Sequence, residues 1–259
     1  MKINVGDSGS NGIVGAIIQL VLLIVLMQIF STILKLLFGR IEFTSYVLPV
    51  SQILSYLVFI IILFPYKGKS ISTYFSQKIP LSIYPLLVIL AAALIIVLLP
   101  LLSMLPVVKN NMTAAKGMGA IPLIVYSLIA IPLFEEMIFR GIILNGFLKR
   151  YTPSKAIIYG SIIFTVIHIN PAQMISAFIF GLLFGWLYYK TKNLLPCIIT
   201  HSAINGLGWV MFKYLSPNSI FFSNNKIYYW LFYFICLIIL FIAIVFIYKK
   251  INSYKYKVA

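Results

Sequence analysis

Apolar runs of about 20 residues recur along the whole of this sequence, and each is long enough as a helix to cross the hydrocarbon core of a bilayer, roughly 30 Å thick. Backbone polar groups find no water there, so a spanning segment must satisfy them within itself, as a helix does. The 259 residues are 62% hydrophobic and 9% charged, against about half apolar and a quarter charged in ordinary soluble domains. The fold class that follows is all-α: a polytopic membrane protein of about eight transmembrane helices, with any active site inside the bundle.

The expected spans are about Ile13–Phe38, Tyr46–Pro65, Ile83–Pro106, Ile121–Leu148, Ser154–Ile169, Ala172–Tyr189, Leu194–Tyr214 and Ile227–Tyr248. The first run is too long for a signal-peptide core and has no small-residue cleavage site, so it is read as a retained span. Pro65-Tyr-Lys-Gly-Lys69 closes the second span, and residues 66–82 form the longest early connection, with room for an interfacial piece. Thr152-Pro153 reads as a helix N-cap and first helical residue. Gly181-x-x-x-Gly185 has the spacing that lets two helices approach closely. No repeat or second domain is visible, and the chain reads as a single integral-membrane domain over 1–259.

A net charge of +16 could suggest nucleic acid, but the basic residues are dispersed between apolar runs, where they set membrane topology instead. With eight spans, both termini share a side with Lys67, Lys69, Lys78, Lys149, Arg150, Lys155, Lys190 and Lys192. Lys2, Lys249, Lys250, Lys255 and Lys257 add to that side, which the positive-inside rule makes cytoplasmic. The expected location is the plasma membrane. Cys197 and Cys236 fall within apolar runs, so no disulfide framework is indicated.

The expensive feature lies in the fourth span. Asp and Glu together number four, and two of them are adjacent, in Glu135-Glu136-x-x-x-Arg140. An ionisable group at the centre of a bilayer helix costs about 2.5–3.5 kcal/mol on insertion scales, so such groups are kept when they are paired or used. At about 100° per residue, Glu136 and Arg140 (i, i+4) share a face and can form an ion pair. Glu135 points elsewhere and is left as a free carboxylate, suited to act as a base. The plainer alternative is that both glutamates only hold helices together.

Both histidines of the chain, His168 and His201, also fall in spans. His168 closes Phe164-x-x-x-His168 at the end of a short span. His201 opens His201-x-x-x-Asn205, with His and Asn on one helix face. Phe139 and Phe164 are read as packing residues. At about 1.5 Å per residue, Glu135 lies about 17–20 Å, His168 about 20 Å and His201 about 10 Å from the cytoplasmic ends of their spans. Those depths are compatible with one site.

In this order the three motifs resemble the signatures of the CPBP family, the CAAX prenyl endopeptidases and bacteriocin-processing, or Abi, intramembrane proteases. The resemblance covers about residues 121–214, the expected catalytic core. It implies that Glu135 and His168 activate a water molecule that attacks a peptide carbonyl. His201 and Asn205 then stabilise the oxyanion, and Glu136 with Arg140 forms the supporting pair. No cofactor is favoured; zinc held by Glu135, His168 and His201 is the alternative, a two-His, one-carboxylate set with an open position. Against it, the H-E-x-x-H spacing is absent. The expected substrate is a peptide or membrane-associated protein, in peptide processing, bacteriocin maturation or self-immunity, or signalling. The partner is the lipid bilayer and not nucleic acid, with the oligomeric state left open. Abundant Ile, Lys, Asn and Tyr point to a bacterial source, for which prenylated substrates are not expected.

Two readings from other classes compete. One is a non-proteolytic scaffold or immunity protein that binds a peptide or signalling partner. The other is an ion-coupled transporter, since buried Glu, His and Arg also mark ion paths; an internal repeat would favour it, and none is found.

Overall fold

A computed structural model describes residues 12–38, 44–63, 71–103, 119–168, 170–214 and 226–258. Among the described residues the secondary structure is wholly helical. The long elements are α1 (Ile13–Phe38), α2 (Thr44–Leu63), α3 (Tyr84–Ser103), α4 (120–147), α5 (Pro153–Val166), α6 (Pro171–Thr191), α7 (Leu195–Tyr214) and α8 (Lys226–Val258). This is a polytopic all-α membrane protein. The polar amino terminus, the Pro65–Lys69 break, most of the connection after α3 and residues 215–225 of the loop before α8 lie outside the described residues.

Six of these elements, α1, α2, α3, α4, α6 and α8, are long and apolar enough to cross a membrane. The other two expected spans differ for separate reasons. α5 has 14 residues, so it rises only about 21 Å, short of the hydrocarbon thickness. α7 has the length, at 20 residues, but carries His201, Ser202, Asn205 and two glycines. Both are the helices that bring the second and third motifs to the first.

The outer helices present apolar side chains to their surroundings: Val14 and Leu36 on α1 and Trp230 and Phe241 on α8 are well exposed. α1 packs on α2, α8 on α3, and α3 on α7, so the motif-bearing helices occupy the interior. α5 and α6 pack closely along the predicted glycine spacing. A Cβ on Gly181 would lie 3.0 Å from Ser161 Cβ and 3.1 Å from its Cα, and one on Gly185 would lie 3.0 Å from Ile157 Cγ2. A side chain there would be tighter than ordinary packing unless its neighbours gave way, and the close approach sets Phe184 of α6 beside the site.

α5 starts as the sequence suggests, with Thr152 extended at the N-cap (φ −58°, ψ 150°) and Pro153 in the first turn. The connection expected over 66–82 contains two short 3-10 turns, Ile71–Tyr74 and Leu81–Ile83. It is tied to the α6–α7 turn, where Lys192 has a positive φ of 52°. Asn193 Nδ2 donates to the carbonyls of Gln77 at 2.6 Å and Phe75 at 3.3 Å, and the Leu194 N–H donates to the Tyr74 carbonyl at 2.9 Å. Tyr74 is thereby buried, and burial raises its phenol above the usual pKa.

Candidate active site

α4 is not a regular α-helix. It widens into π-helical turns over Val125–Ala130 and Met137–Leu144, on either side of an α-helical segment, Ile131–Glu136, that carries both glutamates. Such wide turns leave backbone groups less evenly satisfied and are frequent at functional sites. Pro132 lies just past the first. The Ile131 N–H still bonds the Tyr126 carbonyl, but Pro132 has no N–H for the carbonyl of Ser127 in the wide register or of Leu128 in the α register. α7 supplies the missing donors. Asn205 Nδ2 donates to the Ser127 carbonyl at 2.9 Å, and Ser202 Oγ donates to the Leu128 carbonyl at 2.7 Å.

These bonds lay α7 against α4 and bring His201 to the double glutamate. Glu135, Glu136, Arg140 and His201 are 3%, 0%, 2% and 6% exposed, so four ionisable side chains share one buried interior. Glu136 Oε1 accepts from Arg140 at 3.0 Å and from His201 Nδ1 at 2.8 Å. Glu136 is thus shared by both, and its second role was invisible in the i, i+4 spacing. A carboxylate beside a guanidinium is an acceptor, so the proton of this bond sits on His201 Nδ1. The other nitrogen, Nε2, lies 3.9 Å from Glu135 Oε2. That is beyond direct hydrogen-bond reach.

Aromatic rings enclose the cluster. The Arg140 guanidinium lies over Phe164 at 4.4 Å and Phe184 at 5.0 Å from their centroids, and Phe184 stacks on the His201 ring at 5.2 Å. Phe164 also meets Phe139 and His168 edge-on, each at 5.0 Å. The cation is therefore screened by π-faces as well as by Glu136. Phe164 packs, as expected, but against every charged or imidazole group of the second and third motifs. Phe184 was not singled out in the sequence; its position beside the glycine pair was the available signal.

The remaining motif residues are placed differently. His168 is half-buried at the end of α5, with Nδ1 3.0 Å from the Phe164 carbonyl. A carbonyl only accepts, so Nδ1 carries a proton in this bond and Nε2 is the ring nitrogen left over. Among the described residues His168 makes no hydrogen bond or ion pair with Glu135. Asn205 spends an amide N–H on the Ser127 carbonyl, leaving a second N–H and its carbonyl oxygen. The described residues hold no group of three His, Cys, Asp or Glu side chains that could hold a metal ion, so the zinc alternative does not fit this arrangement. Cys197 and Cys236 are free and buried.

Sequence reasoning missed three residues that touch the site or its neighbour. Tyr56 Oη of α2 donates to Glu135 Oε1 at 2.9 Å, Gln52 Nε2 donates to Tyr56 Oη at 2.8 Å, and Tyr126 Oη of α4 donates to Gln52 Oε1. Ser51, Gln52, Ser55 and Tyr56 form a polar patch in an otherwise apolar span, and that patch was the signal.

Comparison with known proteins agrees with the motifs. Residues 117–207 match the family model of type II CAAX prenyl endopeptidases, Rce1-like. "Putative membrane peptidase YdiL" of Bacillus subtilis (strain 168) is 32% identical over 98 residues, 38% of this chain and 40% of that protein. The chain thus aligns with about two-fifths of the curated relative it matches. No solved structure matches. The three motifs on α4, α5 and α7 all lie inside the matched stretch, so it is the motif-bearing part of the chain that is similar to the Rce1-like CAAX prenyl endopeptidases.

Proposed function

We propose that the chain is an integral-membrane endopeptidase that hydrolyses a peptide bond near or within the bilayer. The observation that carries this reading is the facing of Glu135 Oε2 and His201 Nε2 across 3.9 Å inside a buried polar cluster. A gap of that size is one a water molecule can bridge. Glu135, free of the ion pair, takes the proton of the attacking water as general base and returns it to the leaving amine as the C–N bond breaks. His168, whose Nε2 is left over from the bond to the Phe164 carbonyl, assists in that step. His201 is held by Glu136 through Nδ1, so it serves as an oxyanion donor at Nε2 when both ring nitrogens carry a proton. Asn205 keeps one amide N–H for the same oxyanion. Donors fixed in a dry site stabilise such charge strongly, one donor being worth about 2.7–4 kcal/mol. The Glu136–Arg140 pair keeps the second carboxylate neutralised and His201 oriented.

The Rce1-like match and the printed name of the Bacillus subtilis protein support a peptidase. The substrate class is a peptide or the end of a membrane-associated protein, and the processes in view are peptide maturation, bacteriocin self-immunity and membrane signalling. Both termini face the cytoplasm, with residues 121–214 as the catalytic core.

The engagement of Ser202 and Asn205 in helix–helix bonds favours a second reading, in which the cluster is only structural and the protein is a scaffold or immunity protein. Comparative peptidomics of cells making the native protein or Glu135→Gln separates the two. Peptide termini that vanish with Glu135→Gln are expected. If every terminus persists at its native abundance, the peptidase reading falls.

A further inference from the structure

α2 lies outside the residues that match the family, yet it supplies the hydrogen bond that Glu135 accepts on Oε1. Tyr56 is fully buried, and its hydroxyl has a donor on one side (Gln52 Nε2) and an acceptor on the other (Glu135 Oε1). Gln52 likewise uses both ends of its amide, the oxygen accepting from Tyr126. An ionised carboxylate cannot donate, so the chain has one direction: Tyr126 to Gln52 to Tyr56 to Glu135.

Two plainer roles fit less well. A tether between α2 and α4 is already provided by Tyr126 and Gln52, which leaves the bond to the carboxylate unexplained. A proton wire is blocked at Gln52, because an amide passes a proton only through its disfavoured imidic acid form. What the chain does accomplish is to hold one oxygen of a carboxylate whose other oxygen faces His201 at 3.9 Å.

We propose that Tyr56, set in place by Gln52 and Tyr126, is a positioning residue that clamps Glu135 by Oε1 and reserves Oε2 for proton transfer on the His201 side. The catalytic part rests on the peptidase reading; the clamp itself does not. Hydrogen-bonded networks of this kind polarise one another, so the distant members act through the last bond.

The chain contains three glutamates, Glu42, Glu135 and Glu136, so each carboxyl carbon can be followed separately. The full-length protein, labelled with 13C at the glutamate side-chain carboxyl, is studied by NMR in detergent micelles, with signals assigned by single Glu→Gln variants. Tyr56→Phe is expected to move the Glu135 signal and leave Glu136 in place; Gln52→Leu moves Glu135 in the same direction by less. A Glu135 signal unmoved by Tyr56→Phe overturns the clamp, whatever the protein's activity.

The second arm follows cleavage at a Glu135-dependent terminus with a peptide spanning it. Tyr56→Phe is expected to lower kcat by about 10- to 100-fold, the scale of a misplaced reacting group, with KM unchanged. Joining Gln52→Leu to Tyr56→Phe adds nothing, since both act through one hydroxyl. A rise in KM alone, or losses that multiply, overturns the positioning role. If no Glu135-dependent terminus exists, the peptidase reading has failed, and the NMR result alone decides whether the clamp exists.

Discussion

Glu135 and Glu136 are neighbours in sequence, almost equally buried, and held in opposite ways. Glu136 is held by the Arg140 cation at 3.0 Å and by His201 Nδ1 at 2.8 Å, with two aromatic rings over the guanidinium. Glu135 is met by a neutral phenol at 2.9 Å and, at 3.9 Å, by the far nitrogen of the same histidine. One carboxylate is neutralised where it stands. Each keeps one oxygen without a direct protein donor, but Glu136 Oε2 is buried in the carboxylate that Arg140 pairs, while Glu135 Oε2 faces the gap before His201. The same helix can carry both because a step of one residue turns the side chain by about 100° and so changes the neighbouring helix.

The comparison is broken most severely by removing the charge partner. Arg140→Met leaves Glu136 buried without its cation and should cost about 3–5 kcal/mol, read as a large fall in the unfolding midpoint in detergent. Adding Glu136→Gln to Arg140→Met should recover much of that loss, because the buried charge disappears with its partner. If the double variant is no more stable than Arg140→Met alone, Glu136 is not the charge that the arginine neutralises.

A smaller effect is expected where α7 meets the widened turn of α4. Asn205→Leu orphans the Ser127 carbonyl beside Pro132 and should cost about 1–3 kcal/mol. Joining it to Pro132→Ala, which restores a backbone donor, should soften the loss in the same unfolding measurement. Equal losses in both backgrounds would show that Pro132 does not create the need for Asn205.

The smallest change in stability, within about 1 kcal/mol, is expected for Glu135→Gln, since an amide oxygen still accepts from Tyr56. Its effect on processing should be the greatest of all, with loss of dependent termini in the peptidome. A fall in stability as large as that of Arg140→Met would mean that the two glutamates do the same work.

Much of the helical plan was legible because lipid imposes it: runs of a given length and the proline and polar breaks between them mark the elements. Thr152-Pro153 announced the start of α5, and the spacing of Gly181 and Gly185 announced a close crossing. Its partner, α5, could not be named, since nothing in a glycine pair says which helix enters the groove. The contact of Arg140 with Glu136 was legible because both ends lie on one helix, where periodicity fixes distance. His201 reaching Glu136 was not, because the crossing of α7 over α4 depends on carbonyls that Pro132 leaves open. Tyr56 and Gln52 were passed over for a related reason. A polar patch in an apolar span shows that a partner exists, while the partner stands 79 residues away in the case of Tyr56 and Glu135.

The sequence by itself therefore determined the membrane class, the order of the helices, and which few residues could carry chemistry, since charge is so scarce in an apolar chain. Only the tertiary structure decided how those residues are shared out: Glu136 between Arg140 and His201, Glu135 between Tyr56 and the gap before His201, and Asn205 with the backbone of α4. Helical periodicity acts over a turn or two and reaches no further. Contacts between helices are selected by close packing and by the need to satisfy each buried polar group, and those conditions exist only once the bundle has formed.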